Sequence, residues 1–185
     1  MNPATFDNSY RITSFTYFTD VLSGRNPKMN QINAFWEKVW KEDISTLVKI
    51  SESTRDQASI GCVYWPVVST KPLEVSSELK VTLHKEEILY AANNQLLIER
   101  KFLLESNTAS RTVVQITCFP DPLNEVFEKA AAAAKKAHAK GSKLLVMHAQ
   151  MMVDTLLFLT YLRNSTFNKA SAGEISALLA PSQDI

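Results

Sequence analysis

The side chains of this 185-residue chain that could do chemistry are few: three histidines, two cysteines and scattered carboxylates. His148 closes the apolar run Lys143 to Met147, and an imidazole is a side chain able to act as a nucleophile. An imidazole that attacked phosphate would form a phosphohistidine, and the anion would need arginines to hold it. None lies near His148 in sequence, so the residue reads as a packed or hydrogen-bonded histidine at a strand end. Asp121, in Phe119-Pro120-Asp121, reads from its type alone as a loop carboxylate that is solvated or caps a helix. Cys118 just before that loop, and Cys62 on a strand, read as small buried hydrophobes rather than reactive thiols. His84 and His138 lack partners at ligand spacing, so no metal site and no cofactor is expected.

The elements that must position these residues follow from pattern. Lys plus Arg is 20 against Asp plus Glu 19, so the chain offers no electrostatic argument for nucleic acid or an anionic membrane. Its length suits one domain with a single core. Two cysteines are too few for a disulfide-stapled secreted scaffold, which points to a reducing, cytoplasmic setting. Met1 to Tyr10 lacks the basic-then-apolar pattern of a signal peptide. Leu144 to Leu162, the most apolar stretch, is interrupted by His148, Gln150 and Asp154, so no membrane insertion is expected.

Asn2 to Gly24 is polar and aromatic without clear period and allows short strands or an arm on the core. Ile32, Phe35, Trp36, Val39 and Trp40 recur at three- and four-residue steps, which predicts a helix with one broad apolar face. From Thr46 to Cys118 the runs shorten and become β-rich: Leu47 to Ile50, Ile60 to Trp65, Leu79 to Leu83, Leu96 to Leu104 and Val113 to Cys118. Polar turns at Ser51 to Gln57 and Glu105 to Ser110 separate some of them, which suits a mainly antiparallel meander. Glu125 to Lys140 has an alanine run, acids at its start, lysines at its end and Gly141 as a stop, all of which favour a helix. Lys143 to Met147 reads as a buried strand, Asp154 to Arg163 as a helix, and Ser171 with Glu174 as a capping box opening a last helix to Leu179.

Several of these segments, in order, resemble the protein tyrosine phosphatase domain. Asn8 to Ile12 is similar to that family's Asn-Ala-Ser-Tyr-Ile strand. Asn26 to Trp36 resembles its Gly-Pro-Lys segment leading to Asp-Phe-Trp, and Phe35-Trp36-Glu37-Lys38-Val39-Trp40 its Phe-Trp-x-x-Val-Trp helix. Cys62-Val63-Tyr64-Trp65-Pro66 is similar to Lys-Cys-x-x-Tyr-Trp-Pro, with one residue fewer between Cys and Tyr. Ile98 to Phe102 resembles Thr-Val-Arg-Lys-Phe, and Arg111 to Asp121 resembles the strand leading into the Trp-Pro-Asp loop.

The resemblance implies an α/β fold, a twisted mixed sheet flanked by helices on both faces, over one domain spanning 1–185. It also implies chemistry that this chain has altered. The family uses a cysteine thiolate, a small-residue turn whose amides cradle phosphate, and an arginine six positions on that clamps it. In the corresponding stretch, Val146 to Leu156, the cysteine position holds His148, the preceding histidine position Met147 and the arginine position Asp154. Met151, Met152 and Val153 add bulk where the cradle needs small residues. Asp154 would meet a phosphate dianion with like charge, a repulsion of about 4 kcal/mol for two unit charges ~4 Å apart at an effective dielectric of ~20. Asp121 takes the family's general-acid position, with no nucleophile left to serve.

The resemblance further implies a shortened, incomplete domain. Segments that carry the substrate-stacking tyrosine and the later glutamine loop find no counterpart. The expected function is a catalytically inactive, pseudophosphatase-like module in signalling that binds a protein partner. The alternatives are a hydrolase with altered chemistry, a phosphotyrosine-binding trap, or a degenerate fragment that folds poorly.

Overall fold

The computed structural model describes residues 9–15, 18–51, 63–92, 95–119, 125–148 and 158–159. Along the chain these form β1 (Ile12–Phe15), β2 (Phe18–Arg25), α1 (Ile32–Lys41), β3 (Ile44–Ile50) and β4 (Leu73–Glu74). They continue with β5 (Leu79–Ala92), β6 (Gln95–Ser106), β7 (Ser110–Phe119), α2 (Glu125–Ala137) and β8 (Lys143–His148). The strands build one eight-stranded sheet in the order β1, β2, β8, β3, β7, β6, β5, β4. β2, β8, β3 and β7 run parallel to one another, β1 pairs antiparallel with β2, and β4 to β7 form an antiparallel meander. The sheet is therefore mixed, and β8 lies inside it between β2 and β3, as the apolar Lys143 to Met147 run predicts.

Alternation along the central strands sends side chains to two cores. Leu47 on β3 and Leu145 and Met147 on β8 join Phe35, Trp36 and Val39 of α1. Val48 and Ile50, with Leu144 and Val146, join Val126, Phe127, Ala130, Ala131 and Ala134 of α2 on the opposite face. Ile44, three residues before Leu47, shares the α1 core because the β3–β8 register slips between Ile44 and Thr46. One extra residue on β3 restores the face that strict alternation would have reversed. The alanine run of α2 thus has a packing reason: small side chains let the helix lie close on the sheet, where Ala130, Ala131 and Ala134 are at most 1% exposed. Phe158 and Leu159, which are helical, are buried in the same core.

The turn from α1 into β3 is held from three directions. Asp43 adopts a left-handed backbone (φ 55°), a conformation its short polar side chain tolerates. Arg111 of β7 donates from Nη2 to the carbonyls of Val39 at 2.6 Å and Trp40 at 2.8 Å, pairs with Asp43 and stacks 4.6 Å from the Trp40 ring. A cation on the last carbonyls of a helix opposes the negative end of its dipole. Lys143 of β8 adds a 2.7 Å bond to Glu42, and its backbone N–H donates to the Asp43 carbonyl at 2.9 Å.

Four expectations need correction. The sheet does not begin at Thr46, because β1 and β2 extend it and β2 pairs in parallel with β8. Of Ile60 to Trp65, only Val63 to Trp65 are described, and they are not a strand. The reason is that Tyr64 and Trp65, adjacent in sequence, both lie against Lys49, which a strand's alternation forbids. Leu47 to Ile50 belongs to the parallel part of the sheet rather than to the meander. The predicted Glu125 to Lys140 helix ends at Ala137, where Ser45 Oγ accepts the Ala139 N–H and Gly141 takes φ 85°. The predicted helix at Ser171 to Leu179 lies outside the described residues, as does Asp154 to Arg163 except Phe158 and Leu159.

Candidate functional site

Four parallel strands end together. Arg25 of β2 pairs with His148 of β8, His148 with Ile50 of β3, and Ile50 with Cys118 of β7, so the four carboxyl ends stand at one level. In sheets with parallel strands, ligand sites form outside the carboxyl ends, where the following segments meet. Here β8 leads to residues 149–154 and β7 to Phe119-Pro120-Asp121, so the topology brings the strand carrying His148 and the strand leading to Asp121 to the same edge. β3 stands between them.

The sequence-predicted site residues divide accordingly. His148 is the last residue of β8, which fixes its backbone place at that edge. Asp121, Asp154, Met151, Met152, Val153 and Cys62 lie outside the described residues. Cys118 is fully buried in the α2-side core, as its reading as a small hydrophobe expects. His84 is exposed on β5, and His138 follows α2 with its Nδ1 buried and unbonded. Among the described residues no cluster of His, Cys, Asp and Glu is arranged to hold a metal.

Behind the edge, on the α1 face, lies a polar layer that sequence reasoning did not single out. Tyr64, 1% exposed, accepts Trp36 Nε1–H on its carbonyl at 2.6 Å. Its hydroxyl donates to Gln115 Oε1 at 2.9 Å and lies 3.7 Å from Met147 Sδ, directly before His148. Burial, and secondarily repulsion from Tyr10, pushes the Tyr64 phenol well above its ordinary pKa, so it stays a neutral donor. Lys49, 1% exposed, and Arg100, 9% exposed, each sit 4.8 Å from the centre of the Trp65 ring. Both cations are thus taken out of water against an indole face. A visible signal existed: Lys49 interrupts the otherwise apolar Leu47-Val48-Lys49-Ile50.

On the opposite flank, Tyr10 donates to the carbonyl of Arg25 at 2.7 Å, fixing the end of β2 beside His148. Ser51, which follows β3 and is 2% exposed, keeps its position through its N–H to the Cys118 carbonyl at 3.0 Å. The described part of the edge is thus mostly buried and held by hydrogen bonds on both flanks.

This arrangement has known counterparts. A family model for protein-tyrosine phosphatase matches residues 8–139. The chain belongs to the protein tyrosine phosphatase family. Over 165 residues it is 26% identical to receptor-type tyrosine-protein phosphatase zeta of Rattus norvegicus, a match covering 84% of this chain and 7% of that protein. The Homo sapiens protein of the same name matches at the same identity and coverage. The chain therefore spans a small part of the length of these relatives. Among solved structures, PTPN18 in complex with HER2-pY1248 phosphor-peptides shares the fold at a TM-score of 0.69 and 18% identity, over 85% of this chain and 62% of that one. PTPN18 in complex with HER2-pY1196 phosphor-peptides matches at a TM-score of 0.64 and 18% identity, over 91% and 61%. The mixed α/β sheet with α1 and α2 on opposite faces is thus the phosphatase fold, as the sequence resemblance implies. The family-model match ends before β8, the strand that carries His148. No helix among the described residues is long and apolar enough to cross a membrane.

Proposed function

We propose that this chain is a single tyrosine-phosphatase-like domain over 1–185, catalytically inactive, that serves in the cytoplasm as a protein-binding or scaffold module. The observation that supports this reading most is the residue at the end of β8. The family's motif, aligned on that strand, puts its nucleophile at His148 and its phosphate-clamping arginine at Asp154. A thiolate cannot be replaced by an unassisted imidazole without arginines to hold the phosphoryl group. A carboxylate at the clamp position turns attraction for a dianion into repulsion. Asp121 keeps the acid without the step that would use it. The fold itself is retained, with both cores packed, which is what a binding module needs. PTPN18 is seen with phosphopeptides, so this fold can present a surface to peptides.

The test compares capture of phosphotyrosine and matching unphosphorylated peptides by the purified chain, together with thermal melts in millimolar vanadate. The reading expects no preference for the phosphorylated peptide and an unchanged melting temperature. A ligand at 100 times its dissociation constant would add about 2.7 kcal/mol, an upward shift of several degrees. Such a shift, with selective capture of phosphotyrosine, would replace the phosphate-blind module by a phosphotyrosine trap.

A further inference from the structure

A hydrogen-bonded row crosses the α1 face of the sheet from its outer part to its centre. Glu86 Oε2 on β5 accepts Arg100 Nε–H from β6 at 2.5 Å. Arg100 Nη1 donates to Thr117 Oγ1 on β7 at 3.1 Å, and Gln115 Nε2 donates to the same oxygen at 3.0 Å. Gln115 Oε1 in turn accepts the Tyr64 hydroxyl, which touches Met147 Sδ on β8. Arg100, Gln115, Thr117 and Tyr64 are all buried, whereas the Glu86 side chain is 49% exposed. The row therefore has one end in water and the other beside the residue that precedes His148.

We propose that Glu86 is the outer end of a polar relay that orders the carboxyl ends of β7 and β8, so that pairing or neutralising Glu86 at the outer strand is felt at the degenerate site. The proposal goes beyond the inactive-module reading and holds whether or not the chain turns over a substrate. Its physical basis is the charge-assisted Glu86–Arg100 bond, the strongest in the row. Lys49 lies against the same indole as Arg100, and the Glu86 carboxylate is the acid paired with the Arg100 guanidinium. Without that carboxylate Arg100 loses its hold, Thr117 loses one of its two donors, and the Gln115 amide that orients Tyr64 is freed. Bonds in a buried row polarise one another, so the loss is shared along it.

Hydrogen exchange by mass spectrometry on the full chain tests this. Glu86→Gln should speed exchange at residues 63–68, 113–119 and 143–148 by tenfold or more, and leave α1 unchanged. Glu87→Gln, on the opposite face of β5 and paired with Lys85 at 2.6 Å, should leave all of these segments unchanged. Unchanged exchange in Glu86→Gln, or an equal acceleration over the whole chain, would overturn the relay. A double-mutant cycle on the unfolding constant with Tyr64→Phe supplies the second readout. Coupling of threefold or more between Glu86 and Tyr64, which the row joins through Arg100, Thr117 and Gln115, is expected. Coupling below threefold would mean that the residues act separately.

Discussion

Gly24 lies against the phenol of Tyr10: a Cβ at that position would stand 2.4 Å from Oη and 3.3 Å from Cζ. The ring cannot withdraw freely, because Tyr10 is 8% exposed, packs edge-on to Phe35 at 4.9 Å and bonds the Arg25 carbonyl. Gly24→Ala should therefore destabilise the chain by about 1–3 kcal/mol through overpacking. Tyr10→Phe should cost about 1 kcal/mol for the lost hydrogen bond. Because Phe removes the oxygen that clashes, the double variant should cost less than the sum of the two single changes. Urea melts of the four proteins measure this, and strict additivity would mean that the Tyr10 ring moves aside in solution. At the same scale, what the sequence offers of the proposed site is the pair of replacements at His148 and Asp154. His148 and Asp154 stand out in the sequence once the register is set by the strand before them. The buried Lys49, Arg100 and Gln115 were harder to read as a group, because they sit on three strands and only the sheet brings them together.

The elements themselves were legible where one period dominated. The helix at Ile32 to Lys41 agrees with its prediction because five apolar residues mark one stripe, and the alanine run marks α2. β8 was legible as a short apolar run. β1 and β2 were not, since Tyr10, Ile12, Phe15 and Phe18 carry neither period and their pairing depends on a partner far along the chain. The full length of β5 was also hidden: the apolar run ends at Leu83, yet the strand continues through His84, Lys85, Glu86 and Glu87, whose side chains are exposed. The α1–β3 corner yields a pH prediction. The bond from Lys143 holds the Glu42 carboxyl below its ordinary pKa of 4.5, burial opposes this, and the charges of Lys143 and Lys38 add to the lowering. A depressed folded pKa contributes stability that is present above the unfolded value and lost as pH falls through the folded one. Glu42→Gln should thus destabilise modestly at pH 7, and its difference from the unaltered chain should shrink as pH falls below about 4.5. Guanidinium melts at pH 7, 5 and 3 check the trend, and a difference that grows toward acid would refute the assignment.

As a whole, the molecule is one sheet with a core on each face, and the two cores share β3, β7 and β8. Trp36, Trp40 and Trp65 all belong to or pack against the α1-side core, while the α2-side core has no tryptophan among the described residues. Fluorescence therefore reports one face, and circular dichroism reports both. A selected module should unfold with the two signals coincident, because neither core survives loss of the shared strands. Separate transitions would favour a degenerate fragment in which one face is molten. An inactive module requires that the edge at His148 performs no phosphoryl transfer. The most direct measurement is release of phosphate from p-nitrophenyl phosphate and from phosphotyrosine peptides, with the chain in excess over peptide, for the unaltered protein, His148→Ala and His148→Cys. No release above buffer is expected in any of the three, since restoring the thiol leaves Asp154 at the sequence position of the family's arginine and Met151, Met152 and Val153 at the positions of its small residues. Release by the unaltered chain that disappears in His148→Ala would contradict it and make this a phosphatase with histidine chemistry.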